Sequence, residues 1–165
     1  MSLTFRLEQP DDRRPIHKLT EAAFEDMPFS DGDEPDLVDK LRSAGDLTIS
    51  MVAEAGQGIV AHIAFSPVTI SDGTADWYGL GPVSVWPEFQ RKGIGSALIN
   101  RALTEMRSLG AKGIVLLGNP DYYSRFGFKS DSSLRYPGPP AQYFQYLVLD
   151  GQTPQGVVRY APAFG

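Results

Sequence analysis

Residues 83–99, VSVWPEFQRKGIGSALI, lead from a strand-like run through a glycine loop into a helix-like run. The strand-like run ends near Val85, and apolar residues then recur at helical spacing over residues 97–109, until Gly110 ends the pattern. Residues 114–117, IVLL, are wholly apolar, as in a short buried strand. A strand, a loop, a helix and a strand in this order predict a βαβ unit with parallel strands and a right-handed crossover.

The N-terminal part of the chain predicts one strand and two helices. Residues 3–8 alternate weakly between polar and apolar side chains, as a strand does. We expect helices to begin near Asp11 and near Asp33, because acidic residues followed by a proline are typical of a helix start. Gly45 is the expected end of the second helix.

Three strand-like runs lie between these helices and the glycine loop. Residues 47–55 and 59–70 are joined by Gly-Gln-Gly, which favours a hairpin. The third run ends near Val85 and contains Gly81 and Pro82. Because proline removes a hydrogen-bond donor from the ladder, we expect a bulge or broken pairing there.

Two further strands, at residues 143–150 and 156–160, close the chain. The predicted fold class is therefore α+β. It has a central mixed, twisted sheet that is an antiparallel meander at first and parallel around the βαβ unit, and helices flank it.

Composition narrows the class of protein. The 165 residues, of which 42% are hydrophobic, suit one domain with a sizeable core. The formal net charge of -5 argues against a dedicated nucleic-acid binder. The chain has no cysteine, which excludes disulfides and a cysteine nucleophile. A polar N-terminus does not fit a signal peptide, and no apolar run approaches the ~20 residues that span a bilayer. We therefore expect a cytoplasmic protein without a membrane partner.

The loop at residues 89–96 has the physical properties of an anion site. Gly93 and Gly95 allow a tight turn and a close approach of the backbone to a ligand. The N–H groups that open the following helix have no helical partners, and the helix dipole adds positive charge. Arg91 and Lys92 add full charges, so a diphosphate is the expected guest. The alternative is a solvated turn whose glycines serve geometry alone.

Neither of the two commonest phosphate loops fits this stretch. The P-loop pattern fails because Lys92 precedes the glycines. The dinucleotide fingerprint needs a third glycine where the chain has Leu98, and no acidic residue follows at the required distance.

The stretch resembles the central motif of the GNAT superfamily of N-acetyltransferases. Gln90, Gly93 and Gly95 match its Gln/Arg-x-x-Gly-x-Gly/Ala core, and Val85 and Pro87 match the end of the strand before it. A second motif of the family, Tyr-x-x-x-Gly-Phe, is matched at residues 123–128. The wider string GNPDYYSRFGF and the closing RYAPAF are similar to the YhbS-like branch, so the resemblance covers nearly the whole chain.

This resemblance implies a single N-acetyltransferase domain over residues 1–165 that uses acetyl-CoA as co-substrate. In the family the loop amides bind the pyrophosphate, and the splayed strand offers backbone groups to the pantetheine. The cofactor-binding residues that it implies are Val83, Ser84, Val85, Gln90, Arg91, Lys92, Gly93, Ile94, Gly95, Ser96 and Asn119. Two positions depart from the family pattern. Leu116 stands where many members have an asparagine, and Gly79 stands where some have a glutamate base.

Acetyl transfer to an amine needs an aligned thioester, a neutral amine and a proton for the leaving thiolate. By the resemblance, Tyr123 is the general acid, and the N–H of Val85 polarises the thioester carbonyl. Tyr122 is expected to point elsewhere, because adjacent helical residues do not share a face. Direct attack is favoured over a covalent intermediate, since the chain has no cysteine and no evident Ser-His-Asp arrangement.

The general base and the acceptor stay open. The base candidates by residue type are Glu54, His62, Asp76 and Glu88, or a water chain. Acidic residues concentrate in residues 21–39, where they would either attract a cationic amine or simply be solvated. Met27, Phe29 and Trp77 would either add an apolar wall for the acceptor or belong to the core.

The sequence also bears on alternative functions, on oligomeric state and on metal binding. A non-catalytic acyl-CoA sensor and a transferase of a longer acyl group are the alternative functions. A homodimer is compatible with the sequence, which specifies no interface. We expect no metal site, because His17 and His62 lie far apart without ligand spacing.

Overall fold

The computed structural model describes residues 2–28, 30–56 and 58–165 of the chain. Its helices are α1 (Arg13–Phe24), α2 (Glu34–Ala44), α3 (Ile94–Ser108) and the single turn α4 (Pro120–Tyr123). Its strands are β1 (Thr4–Leu7), β2 (Ile49–Ala55), β3 (Gly58–Pro67), β4 (Thr69–Ile70), β5 (Trp77–Val85), β6 (Gly113–Leu117), β7 (Leu134–Arg135), β8 (Phe144–Val148) and β9 (Gly156–Arg159).

Six strands form the main sheet in the order β1-β2-β3-β5-β6-β8. β5 and β6 pair in parallel through the α3 crossover, and the other neighbours pair antiparallel. The predicted mixed sheet and the βαβ unit are thus confirmed. Gly45 ends α2 in the left-handed conformation, with φ 78°, as its sequence position indicated.

The end of the chain forms a second sheet, which the sequence did not indicate. The strand predicted at residues 156–160 is present as β9, and it lies in a three-stranded sheet between β4 and β7. The run at residues 59–70 divides after Pro67, and its last part, β4, leaves the main sheet to pair with β9. β7 has only two residues, which is too short for periodicity to predict it.

The two faces of the main sheet carry different layers. On one face α3 buries Leu98, Ala102 and Met106 in the largest apolar cluster, together with alternate residues of β2 and β3. The opposite face includes Val52, which packs with Ile16 of α1 and with α2. We call these the α3 face and the α1 face. Strand alternation therefore decides which helix layer each side chain meets.

His62 of β3 is a fully buried polar side chain in the sheet. Its Nε2 lies 2.8 Å from the Ser50 hydroxyl, and this hydroxyl donates to Glu8 Oε1 at 2.6 Å. Glu8 is paired in turn with Arg42, whose Nη2 lies 2.7 Å from Oε1. Burial lowers the pKa of His62 to about 4, whereas the negative charges of Glu8 and Asp12 act to raise it and Arg42 acts to lower it. The imidazole is therefore neutral at physiological pH.

This burial predicts a loss of stability in mild acid. Below its ordinary pKa of 6.5 His62 binds a proton in the unfolded chain, whereas in the folded chain it stays neutral down to pH 4 or so. The free energy of unfolding should therefore fall by about 2 kcal/mol between pH 7 and pH 5 on account of this residue. Urea titrations of the chain and of His62→Gln at both pH values measure the effect. An equal fall in both proteins would contradict it.

Candidate functional site

The main sheet opens between β5 and β6. The two strands pair only at Trp77, Tyr78 and Gly79 of β5, and beyond this point they separate. The other edge of β5 changes register at the same level, because Val83 lies opposite Ile63 whereas Leu80 lies opposite Phe65. The bulge expected at Gly81-Pro82 is present, and it marks the start of the opening.

Backbone groups of β5 face this opening. The N–H of Trp86 donates to the carbonyl of Val60 in β3 at 3.0 Å. Because antiparallel strands alternate the direction of their backbone groups, Ser84 also faces β3, and the N–H groups of Val83 and Val85 face the opening. The carbonyl of Val85 accepts a hydrogen bond from the Gln90 side chain at 3.0 Å.

The structure places Ser84 differently from the expectation that it binds the cofactor. Its backbone faces β3 rather than the opening, and its side chain is 2% exposed on the α1 face. Its backbone groups are therefore directed at β3 and are not available to a cofactor in the opening. The physical reason is the two-residue period of a strand, which turns Ser84 away wherever Val83 and Val85 face the opening.

The glycine loop brings a helix N-terminus to the end of β5. Gly93 has φ 81° and directly precedes α3, and Arg91 has φ 64°. The first N–H of α3 with a helical acceptor belongs to Ala97, which bonds the carbonyl of Gly93 at 3.1 Å. The N–H groups of residues 94–96 precede it and lie at the positive end of the helix dipole.

Side chains of this loop have distinct surroundings. Arg91 and Lys92 are exposed, and Lys92 Nζ lies 5.5 Å from the centre of the Phe89 ring. Ile94 is 4% exposed and packs in the core, so only its backbone is free to meet a ligand. Gln90 binds the carbonyl of Val85 and thereby holds the loop against β5.

Tyr122 lies at this loop, which sequence reasoning did not foresee. Its hydroxyl is 2.9 Å from Ser96 Oγ at the start of α3. The prediction that Tyr122 and Tyr123 diverge was wrong, because their rings meet edge to face with centroids 4.9 Å apart. α4 is a single turn that passes directly into a tighter 3-10 turn, so the spacing rule of long helices does not apply.

Tyr123 follows β6 on the other side of the opening. Its ring packs against the backbone of Gly118, where an added Cβ would lie 2.9 Å from Tyr123 Cδ2. Burial raises the pKa of Tyr123 to about 12, and the neighbouring Tyr122 adds to the rise. The phenol therefore keeps its proton at physiological pH and is available as a donor.

The side-chain oxygen of Asn119 is engaged in a hydrogen bond, whereas its side-chain nitrogen is not, among the residues that the structure describes. Its Oδ1 accepts the N–H of Asp121 at 2.9 Å and caps α4, which leaves the amide nitrogen for a ligand. Leu116 is 1% exposed and presents no polar group at the position where many family members have an asparagine.

Of the four base candidates, the structure brings only His62 next to the open part of β5, among the residues it describes. His62 lies directly opposite Ser84. Glu54 is in β2, 42% exposed and bound to Arg6. Asp76 precedes the paired end of β5, and Glu88 is exposed in the turn after it.

Packing explains why residue 79 is a glycine, which the sequence alone did not show. A Cβ at Gly79 would lie 2.7 Å from Cε1 of Tyr160, which follows β9. The aromatic ring thus fills the space into which a longer side chain at residue 79 would extend. Burial also raises the pKa of Tyr160, so this phenol stays neutral.

The acidic segment borders a cavity between α1 and α2. Glu21, Glu25 and Asp31 are among the residues that line its volume of about 460 Å³. Trp77 does not belong to an acceptor wall, because it is 1% exposed within the core beside the second sheet. Met27 is partly buried, and Phe29 lies outside the described residues.

His17, Asp36 and Asp39 come together on the surface of α1 and α2. Sequence spacing did not indicate this group, because its members belong to two helices. His17 Nδ1 lies 2.8 Å from Asp39, which also pairs with Arg42 at 3.0 Å. These pairings account for the cluster. None of the helices in the described ranges is long and apolar enough to cross a bilayer.

Comparison with known proteins gives matches over most of the chain. The family model for the acetyltransferase (GNAT) domain matches residues 4–130. The N-acetyltransferase YhbS of Escherichia coli is 32% identical over 171 aligned positions that cover 98% of each chain. A GNAT family acetyltransferase from Brucella melitensis, crystallised with acetyl-CoA, matches with a TM-score of 0.89 and 45% identity over 99% of both chains. The structure of YhbS from Escherichia coli in complex with CoA matches with a TM-score of 0.88 and 30% sequence identity, over 98% of this chain and 91% of that chain.

The opening beside β5, the glycine loop at its end and these full-length similarities lead to one conclusion: the chain belongs to the GNAT family of acetyltransferases.

Proposed function

We propose that this enzyme transfers the acetyl group of acetyl-CoA directly to the nitrogen of an amine, with the whole chain acting as one N-acetyltransferase domain. The observation that carries the proposal is the convergence of the open edge of β5, the N-terminus of α3 and Tyr123 around one opening in the sheet. The Brucella melitensis relative was crystallised with acetyl-CoA and YhbS with CoA, which supports this choice of co-substrate.

The loop and the open strand divide the binding of acetyl-CoA between them. We assign the pyrophosphate to the N–H groups of residues 91–96, with Arg91 and Lys92 as additional cations. The pantetheine would lie along Val83 and Val85, whose N–H groups face the opening and are suited to its carbonyl oxygens. Asn119 offers its amide nitrogen from the β6 side. Gln90 contributes by holding the loop on β5.

The chemistry then follows from where charge develops. The amine nitrogen attacks the thioester carbon, and the oxygen becomes negative as the C–N bond forms. The N–H of Val85 is placed to stabilise that oxygen. The C–S bond then breaks, and Tyr123 donates its proton to the departing thiolate, whose ordinary pKa is near ~8.5. No cysteine is present to carry the acetyl group, so direct attack is the favoured route.

The first prediction tests the loop. Gly93→Ala should raise the Kd for acetyl-CoA at least tenfold, because the side chain disfavours φ 81° and shifts the amides that hold the pyrophosphate. Gly110→Ala is the matched control, since Gly110 has φ 92° at the other end of α3 with similarly open surroundings. It should lose similar stability and keep its Kd within twofold. Calorimetric titration measures both variants, and equal affinities would contradict the assignment.

The second prediction tests the acid. Tyr123→Phe should lower kcat by about 10² to 10³ and leave the Kd for acetyl-CoA within threefold, because only the proton for the thiolate is lost. Since burial raises the pKa of Tyr123 to about 12, the activity of the unaltered enzyme should show no loss from Tyr123 ionisation up to pH 10.

Tyr78→Phe is the control for this experiment, because Tyr78 is a partly buried tyrosine on the paired end of β5. It should retain kcat within twofold when thiol release is followed with a panel of amines. A non-catalytic acyl-CoA sensor predicts binding without thiol release in any of these proteins. A panel of acyl-CoAs distinguishes acetyl from longer chains. The identity of the amine, the homodimer and the cytoplasmic location stay predictions.

A further inference from the structure

Four buried side-chain polar atoms lack a hydrogen-bond partner within the described residues. They are Nδ1 of His62, Oγ of Ser84, Oγ of Ser66 and Nε1 of Trp77. Buried polar atoms in native proteins are nearly always bonded, and each exception needs an explanation. Two of the four, in His62 and Ser84, belong to residues that lie directly opposite each other in β3 and β5.

The register brings the His62 and Ser84 side chains together. Residues directly opposite in an antiparallel pair have Cβ atoms about 4.5–5.5 Å apart and project from the same face. A serine hydroxyl rotates between staggered positions, so it is able to turn towards the neighbouring ring. Such a rotation, or a single bridging water, would join Ser84 Oγ to His62 Nδ1, two atoms that have no other partner among the described residues.

The hydrogen bonds beyond His62 determine which of its nitrogens is free. The Ser50 hydroxyl donates its only proton to Glu8, so it accepts one from His62 Nε2. The neutral ring therefore carries its proton on Nε2, and Nδ1 carries a lone pair that has no partner within the described residues. Three residues in series thus link the open strand to the carboxylate of Glu8.

Glu8 connects this series to the surface. Its side chain is 14% exposed, and it lies in the ion pair with Arg42. Burial acts to raise the pKa of Glu8, but the hydrogen bonds from Arg42 and Ser50 prevail and lower it. Glu8 is therefore ionised at physiological pH, accepts a proton only transiently and passes it to solvent.

We propose that Ser84, His62, Ser50 and Glu8 form a proton path that removes the proton lost by the attacking amine. The proposal rests on the proposed acetyl transfer and supplies the base that the sequence left open. Ser84 is the entry point, because it lies between Val83 and Val85, whose N–H groups face the thioester. The other three residues act through it.

The direction of approach of the amine agrees with this entry point. Tyr122, Tyr123 and Phe126 pack on the main core cluster of the α3 face. The proposal therefore has the amine approach the carbonyl from the α1 face, on which the Ser84 hydroxyl lies. The path begins where the nitrogen loses its proton and ends at Glu8, which directly follows β1.

The proton transfer balances without an added reagent. As the C–N bond forms, the nitrogen gives its surplus proton to Ser84 Oγ, and the hydroxyl proton of Ser84 moves to Nδ1 of His62. The Nε2 proton moves to Ser50, and the Ser50 proton moves to Glu8. Glu8 releases it to water, and the residues return to their starting protonation by rotation of the hydroxyls and exchange at the ring.

Serine variants provide the decisive kinetic experiment. Ser84→Ala should lower kcat at least tenfold, while the KM for the amine and the Kd for acetyl-CoA stay within twofold, because only proton removal is affected. Ser66→Ala is the matched control. Ser66 is fully buried on the same face with an unpartnered hydroxyl, but it lies opposite Gly79 and outside the path. It should keep kcat within twofold.

Other results of this experiment have definite meanings. A Ser84→Ala enzyme with unaltered kcat, or equal losses in both serine variants, would overturn the path while leaving the acetyl transfer intact. Absence of thiol release by the unaltered enzyme with every amine would instead contradict the proposed function. Glu8→Gln should reproduce the loss in kcat if the proton leaves through this carboxylate.

Nitrogen NMR tests the path without any turnover. The chain has two histidines, so the ring nitrogens of His62 are readily assigned by comparison with His62→Gln. At pH 7 the two-bond couplings should show the proton on Nε2, and Ser50→Ala should raise the fraction with the proton on Nδ1. A ring that carries its proton on Nδ1 in the unaltered enzyme would overturn the proposal, because Ser84 would then face a donor.

Discussion

The short pairing between β5 and β6 is the constraint on which the rest of the site depends. Parallel neighbours usually bond along their length, yet here the ladder stops at Gly79. The unpaired backbone groups that follow would be unfavourable in a closed core, and they are available to a ligand with amides of its own. The glycine loop, the start of α3 and Tyr123 form one candidate site because they lie around this gap. The α3 crossover leads from the open end of β5 back to the start of β6, where the two strands pair.

Burial has opposite chemical consequences on the two faces of this sheet. On the α3 face it raises the pKa of Tyr123 and so preserves a proton donor, whereas on the α1 face it lowers the pKa of His62 and so preserves a lone pair. In both cases the neutral form is stabilised, because a low-dielectric interior disfavours charge. A neutral donor and a neutral acceptor therefore lie on opposite faces of the same sheet. The proposed acetyl transfer calls for such a pair, because one proton leaves the amine and another arrives at the thiolate.

The sequence predicted the fold well where periodicity and turn chemistry agree. The helix after Gly93, the strand at residues 114–117 and the bulge at Gly81-Pro82 followed from local patterns. The placement of β9 did not, because two-residue partners such as β4 and β7 leave no periodic signal. In the candidate site, the loop residues followed from their motif. The contact of Tyr122 with Ser96 and the alignment of His62 with Ser84 required the register between distant strands. The alternation of side chains along one strand can be read from the sequence. The neighbouring strand and its register cannot.

The packing of Tyr160 on Gly79 has a consequence for how the enzyme comes into existence. The family model matches residues 4–130, yet the ring that lies over the centre of β5 comes from residue 160. A nascent chain therefore carries the glycine loop and both strands of the opening before it carries Tyr160. The α1 face of β5 at Gly79 is completed only once β9 and the ring that follows it have been added. Substitutions at Tyr160 are thus able to reshape the space over Gly79 without altering the glycine loop or the start of α3.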